Sequence, residues 1–187
     1  MKNIIRTLIF CFSLTALTSC GIIAAINDIG YRLLKSDERN RVKLCTTSIA
    51  SLPVDSCLYQ VNVAQVKEYI ATHEDVVVYQ YLTYCRSEAC ENSAIVEREC
   101  EAAGLDFVAL LGTYDYFDRA HLEKHPRLVM NHKEYDTNNG PKVWKAFISE
   151  LTGMDAKKLD GNKYYFHRGK FVQDVSHINE IHKVTDE

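Results

Sequence analysis

Val76-Val77-Val78-Tyr79-Gln80-Tyr81-Leu82-Thr83-Tyr84-Cys85-Arg86-Ser87-Glu88-Ala89-Cys90 runs β-branched and aromatic residues straight into two cysteines. Val76 to Val78 with the following tyrosines has the composition of a strand buried on both faces, as in the middle of a parallel or mixed sheet. The next residues, Ser93-Ala94-Ile95-Val96-Glu97-Arg98-Glu99-Cys100-Glu101-Ala102-Ala103-Gly104, place Ile95, Val96, Cys100 and Ala103 at helical spacing and end on a C-capping glycine. The order is strand, cysteines, helix. Leu105 to Gly112 then reads as a second buried strand, so a right-handed crossover and a parallel pair are expected.

A helix N-terminus presents unpaired N–H groups and partial positive charge, which favours a thiolate, the nucleophile of disulfide exchange. A second cysteine nearby resolves the mixed disulfide. This segment resembles the active-site strand and helix of the thioredoxin-fold superfamily, with Tyr84 where many members carry tryptophan and Cys85 at the place of the nucleophile. It departs from the family pattern in three respects. Four residues separate Cys85 from Cys90 instead of two; Tyr79 stands where many members have a buried aspartate; and Gly161-Asn162-Lys163 has no proline where the family's cis-proline loop would fall. At about 100° per residue, helical geometry would set Cys85 and Cys90 about 140° apart. Cys85 is therefore expected in the turn after the strand and Cys90 near the helix entrance.

The chain of 187 residues is long enough for one domain with a sizeable core. Its 47% apolar and 25% charged residues are ordinary for a globular protein. Lys2 and Arg6 precede an apolar run from Leu8 to Leu17, too short for a comfortable membrane span, which together read as a secretion signal. The run stops at Leu17-Thr18-Ser19-Cys20-Gly21, which resembles the bacterial lipobox. That resemblance implies a signal peptide over 1–19, a lipidated (palmitate-bearing) Cys20 as the first mature residue, and a stable membrane anchor. Localisation follows as the cell envelope, on the extracytoplasmic side, and Gly21 favours the outer membrane where the host has one. Removing 1–19 leaves 20 basic against 25 acidic residues, a net charge of −5, which disfavours nucleic acid as a partner.

In that compartment disulfides persist. Cys11 leaves with the leader and Cys20 takes the lipid, so Cys45, Cys57, Cys85, Cys90 and Cys100 remain, an odd number. Several connectivities are open. By proximity the economical pairs are Cys45 with Cys57, as a structural disulfide, and Cys85 with Cys90, leaving Cys100 a buried helix thiol.

Residues 20–57 read as a lipid-anchored tether and lead-in, with Lys35 to Arg41 a charged exposed link and Cys45 to Cys57 an irregular loop. The domain proper is expected over 58–187: a strand at Leu58 to Val61, a helix from Val63 capped by Asn62, the two buried strands with their cysteine helix, a helical turn from Asp118 to His125, and possible extension at Arg127 to Met130. A Pro141-initiated helix ends at Gly153. Tyr164 to His167 and Phe171 to Gln173 form a hairpin about Arg168-Gly169-Lys170, and Ser176 caps a last helix. The β-α-β-α-β-α-β-β-α order extends the thioredoxin-like resemblance over residues 58–185. The fold class is therefore α/β, a three-layer fold with a central mixed sheet flanked by helices.

His121 and His125, at i and i+4, are compatible with a shared metal, but surface histidines are the commoner explanation, and no metal or cofactor is assigned. Two functions follow. In the first the protein is a membrane-anchored thiol–disulfide oxidoreductase: Cys85 attacks, Cys90 resolves, Tyr79, Tyr81 and Tyr84 form the surround, and the partners are protein thiols or disulfides. In the second it is a binding or scaffold lipoprotein of the same fold, with a structural disulfide and an unknown envelope protein as partner.

Overall fold

The computed structural model describes residues 29–85 and 91–184. The expected leader, Cys20 and Cys90 lie outside the described residues. In chain order the strands are β1 (Val42–Leu44), β2 (Leu58–Val61), β3 (Asp75–Tyr81), β4 (Asp106–Leu111), β5 (Arg127–Met130), β6 (Lys163–His167) and β7 (Lys170–Val175). The α-helices are α1 (Ser36–Arg41), α2 (Val63–Ala71), α3 (Ser93–Ala102) and α4 (Gly140–Thr152). The strands make one mixed sheet in the order β1-β2-β5-β4-β3-β6-β7. The first five are mutually parallel, and the β6–β7 hairpin joins antiparallel to β3.

β3 is internal, as its composition requires. It pairs with β4 in the register Val76↔Asp106 to Tyr81↔Leu111, and with β6 from Asp75↔His167 to Tyr79↔Lys163. Alternation divides its side chains between two cores. Val76 and Val78 join Val66 and Ile70 of α2 and Val143, Phe147 and Leu151 of α4 on one face, while Val77 and Tyr79 join Val96 and Cys100 of α3 on the other. Burial of Phe147, which is fully enclosed, stabilises the fold by about 1.5–3 kcal/mol. The helix ends follow the local chemistry: Asn62, Asn92 and Asn139 each accept a backbone N–H in the first turn of α2, α3 and α4, and Gly153 closes α4 at φ 73°.

Three elements differ from the sequence-based expectation, and a fourth, β5, bears out the extension read at Arg127 to Met130. Of the segment expected to be a tether, residues 29–57 are packed on the fold: Ile29, Leu34 and Ile49 are buried in the larger core, and β1 extends the sheet beyond β2, while residues 20–28 lie outside the described residues. The charged link is helix α1, whose Arg41 makes a bidentate pair with Asp118 at 2.7 and 2.8 Å. β5 is a fully integrated strand between β2 and β4, with Leu128, Val129 and Met130 buried. The expected C-terminal helix is only a 3-10 turn at Ile178–Glu180, because its backbone and side chains are tied elsewhere. Lys163 takes the Ser176 carbonyl, Lys183 donates to the Gly104 carbonyl at 2.9 Å, and Val184 N donates to the Tyr165 hydroxyl at 3.4 Å. No helix among the described residues is long and apolar enough to cross a membrane.

Candidate functional site

Strand β3 delivers Cys85 to the carboxyl edge of the parallel strands. The chain leaves the sheet after Tyr81 and turns, with Cys85 N donating to the Leu82 carbonyl at 3.1 Å. Thr83 pins the turn. Its buried hydroxyl donates to the Asp115 carbonyl at 2.8 Å, and having one proton it accepts from Thr113 at 2.9 Å. Arg119 donates to the Thr83 carbonyl at 3.3 Å while its guanidinium lies 4.1 Å above the ring of Tyr116. Tyr116 takes the left-handed conformation at φ 56°, which is costly for a bulky residue. Tyr84 projects outward and is 54% exposed. Cys85 itself is half-buried and is engaged in a disulfide, whose partner lies outside the described residues.

Past the cysteine segment the chain re-enters the described fold at Glu91, and a polar network closes on it. The Tyr79 hydroxyl donates to the Glu91 carbonyl at 2.9 Å. Lys163, fully buried, pairs through its ammonium with the Glu91 carboxylate, donates to the Ser176 carbonyl and to Asn162 Oδ1 at 3.2 Å, and lies 5.1 Å from the centroid of the Tyr79 ring. His177 Nδ1 contacts the other Glu91 oxygen at 3.0 Å. Burial would raise the Glu91 pKa, but Lys163 and His177 outweigh it and hold the carboxyl below its ordinary range. Burial, then the charge of Glu91, drives the Tyr79 phenol upward, so it remains a donor.

No family model, curated protein or solved structure matches this chain. The site is therefore read from its own geometry.

Lys163 and Glu91 were not singled out from sequence. A signal exists nonetheless: alternation from buried Tyr165 puts Lys163 on the α3 face, and the antiparallel register sets it opposite Tyr79. Cys85 lies in the turn after the strand, and the helix begins at the residue where the sequence pattern starts it. Helix α3 begins at Ser93, eight residues after Cys85, with Asn92 as its cap. Among the described residues no peptide bond is cis, and the Asn162 carbonyl before β6 accepts from Gln80 N at 2.8 Å.

The expected Cys45–Cys57 bridge is not formed; both are free, buried thiols. The reason is register. β1 and β2 run parallel with Val42↔Leu58 and Leu44↔Gln60, so Cys45 follows one strand and Cys57 precedes the other. Four residues of strand rise separate their levels by about 13 Å, whereas a disulfide needs Cα atoms within about 7 Å. Cys45 instead donates through sulfur to the Thr47 carbonyl at 3.1 Å. Cys100 is a buried thiol as expected, and burial pushes its pKa up to about 12.

The histidines are not uniformly on the surface. His121 is exposed, but His132 is buried against Tyr31 and 3.1 Å from the Tyr114 hydroxyl, and His125 meets the buried Glu97 carboxylate at 2.7 Å. Glu97 also accepts from Glu123 N at 2.7 Å and Lys124 N at 3.0 Å, so this carboxylate organises the loop before β5. No group of three or more metal-ligating side chains occurs among the described residues.

Proposed function

We propose that this protein is a thiol–disulfide oxidoreductase of thioredoxin-like fold, anchored in the cell envelope by lipid on Cys20, in which Cys85 and Cys90 form the exchanging pair. The observation that carries the reading is the half-buried, disulfide-engaged Cys85 on a pinned turn at the carboxyl edge of the sheet. Open parallel sheets present their functional groups at that edge. The thioredoxin-like comparison rests on the β3-α3-β4 crossover and on the β6–β7 hairpin antiparallel to β3. In the reaction a substrate thiolate attacks one sulfur of the pair, the other sulfur leaves as a thiolate and takes a proton, and a second substrate thiol releases the first as a disulfide. The protein is reduced and a dithiol protein is oxidised; the reverse reduces a substrate disulfide.

A second reading is a scaffold lipoprotein with a structural disulfide. It is favoured by the eight-residue interval between Cys85 and the first turn of α3. Both readings are decided by equilibrating the full-length protein with glutathione buffers, followed by alkylation and peptide mapping. Reversible opening of a Cys85–Cys90 bond, abolished by Cys85→Ser, supports the oxidoreductase. A bond that resists glutathione in the folded protein assigns the scaffold. Mass spectrometry of the membrane fraction tests the anchor, since an unmodified Cys20 in a soluble product removes it.

A further inference from the structure

At the amino ends of β4 and β5, the sheet edge opposite the one that carries Cys85, lies a pocket of about 270 Å³. Ile49, Leu52, Val54, Phe107 and Leu128 supply its apolar wall. Its polar lining is Tyr69, His73, Lys124 and His125, with no carboxylate among the described residues. The acids of this region, Glu97, Glu101 and Asp106, line a neighbouring hollow that shares Phe107, Lys124 and His125 as its wall.

Each imidazole of the pocket is held by one nitrogen. His125 Nδ1 lies 2.7 Å from the Glu97 carboxylate, whose pKa burial would raise but which Glu123 N, His125 and Lys124 N hold below its ordinary range. His73 Nδ1 lies 2.7 Å from the Tyr69 carbonyl, and its ring stacks on that of Tyr69 at 4.0 Å. A carbonyl and an ionised carboxylate only accept, so in both uncharged rings the proton sits on Nδ1 and Nε2 keeps a lone pair. Neither Nε2 makes a hydrogen bond among the described residues. Nor does the hydroxyl of Tyr69, a side chain only 8% exposed; burial, then the charge of Asp106, pushes its pKa up to about 12, so it stays protonated. Apolar walls with a few convergent, unsatisfied polar groups are the usual make-up of a small-molecule site.

We propose that this pocket binds a phenol: a single aromatic ring against the apolar wall, with its hydroxyl donating to His125 Nε2. Size sets the first limit, since a cavity of about 150 Å³ holds benzene and this one leaves room for a ring with one or two substituents. The fixed tautomers set the second. A ligand without a donor would cover the Nε2 lone pairs and leave them unpaired, which costs affinity. An ammonium would meet Lys124 and no carboxylate in the lining. A metal ion would find two imidazoles here, and no group of three or more metal-ligating side chains occurs among the described residues. Glu97 acts through His125, as a positioning residue that keeps the proton on Nδ1. The site is independent of the exchange proposed at Cys85.

The test titrates the full chain in detergent, carrying 13C-labelled histidine, with phenol, anisole, benzoate and benzylammonium. Free ligand is fixed by dialysis, at about pH 8, above the ordinary imidazole value of about 6.5. The ring signals of His73 and His125 report occupancy. Phenol is expected to bind with a Kd on the order of 1 mM, within reach of so small a ligand. Anisole, the same ring with no proton to donate, should bind about fivefold to tenfold more weakly, benzoate more weakly than phenol, and benzylammonium not at all. His125→Phe keeps a ring and removes the acceptor; read at His73, it should bring phenol down to the anisole level while anisole holds its affinity. Ala50→Trp, at the exposed rim, should fill the pocket and abolish the binding of both, and it keeps the proposal testable if His125→Phe does not fold. Four results overturn the phenol site: equal affinity for phenol and anisole, benzoate or benzylammonium binding as tightly as phenol, a phenol preference that survives His125→Phe, or phenol binding that survives Ala50→Trp.

Discussion

The Tyr79 hydroxyl donates to the backbone carbonyl of Glu91 across 2.9 Å, joining the middle of β3 to the residue that follows Cys90. The same ring has the Lys163 ammonium 5.1 Å from its centroid, so the residue six positions before Cys85 meets both the donor and acceptor sides of one buried network. Tyr79→Phe keeps the ring and removes the bond. It is expected to cost about 1 kcal/mol in urea unfolding, and an unchanged midpoint would mean that the Glu91 carbonyl finds another donor.

Removing the two charges of the Lys163–Glu91 pair one at a time should give unequal effects. Glu91→Gln leaves a wholly buried ammonium without its counter-charge and should cost about 3 kcal/mol. Lys163→Met leaves a carboxylate that is 25% exposed and still contacts His177, so the loss should be smaller, about 1–2 kcal/mol. Denaturant midpoints of the two variants check the order, and the reverse order contradicts the assignment of the lysine as the more deeply desolvated partner.

Acid should unfold the protein partly through Glu97. Burial pushes its pKa up, but hydrogen bonds from Glu123 N, His125 and Lys124 N outweigh that and hold it below 4.5. A depressed folded-state pKa contributes stability that is fully present above the unfolded value and is lost as the pH falls from 4.5 through the folded value. Glu97→Gln should flatten the stability profile below that pH and cost about 1–3 kcal/mol at neutrality. Thermal midpoints of both proteins over a pH series from neutral into acid measure this, and parallel profiles would count against it.

Thiol labelling should sort the cysteines by burial. Cys45, Cys57 and Cys100 are free and buried, and Cys100 has its pKa pushed up to about 12. In the native protein Cys100 should react at least about a hundredfold more slowly with a maleimide than an exposed thiol, because reaction needs both opening and ionisation. All three should label on denaturation without reductant. A peptide map showing Cys45 cross-linked to Cys57 would contradict the parallel β1–β2 register.

Much of the architecture was legible because local patterns and tertiary demands agree. Val76 to Tyr81 is too uniformly β-branched and aromatic to sit at a half-exposed edge, and it lies inside the sheet. Asn62 caps α2 where its side chain reaches a first-turn N–H group, and Gly153 ends α4 because it takes a positive φ. The turn position of Cys85 and the buried thiol of Cys100 could likewise be read from strand and helix phase.

Tertiary structure decided what depends on partners distant in sequence. Proximity suggested Cys45 with Cys57, but the parallel register of β1 and β2 sends them to opposite ends, and register is a property of two strands together. Four-residue Arg127–Met130 carries too little pattern to distinguish a strand from a loop, and becomes one because β2 and β4 leave a place between them. Ser176 to Val184 has a helix-like start, yet its backbone is claimed by Lys163 and by Tyr165. Lys163 shows the limit most directly: in the sequence it is one of 22 basic residues, and only the pairing of β6 with β3 turns its side chain inward to meet Glu91, 72 positions earlier, at the end of the cysteine segment.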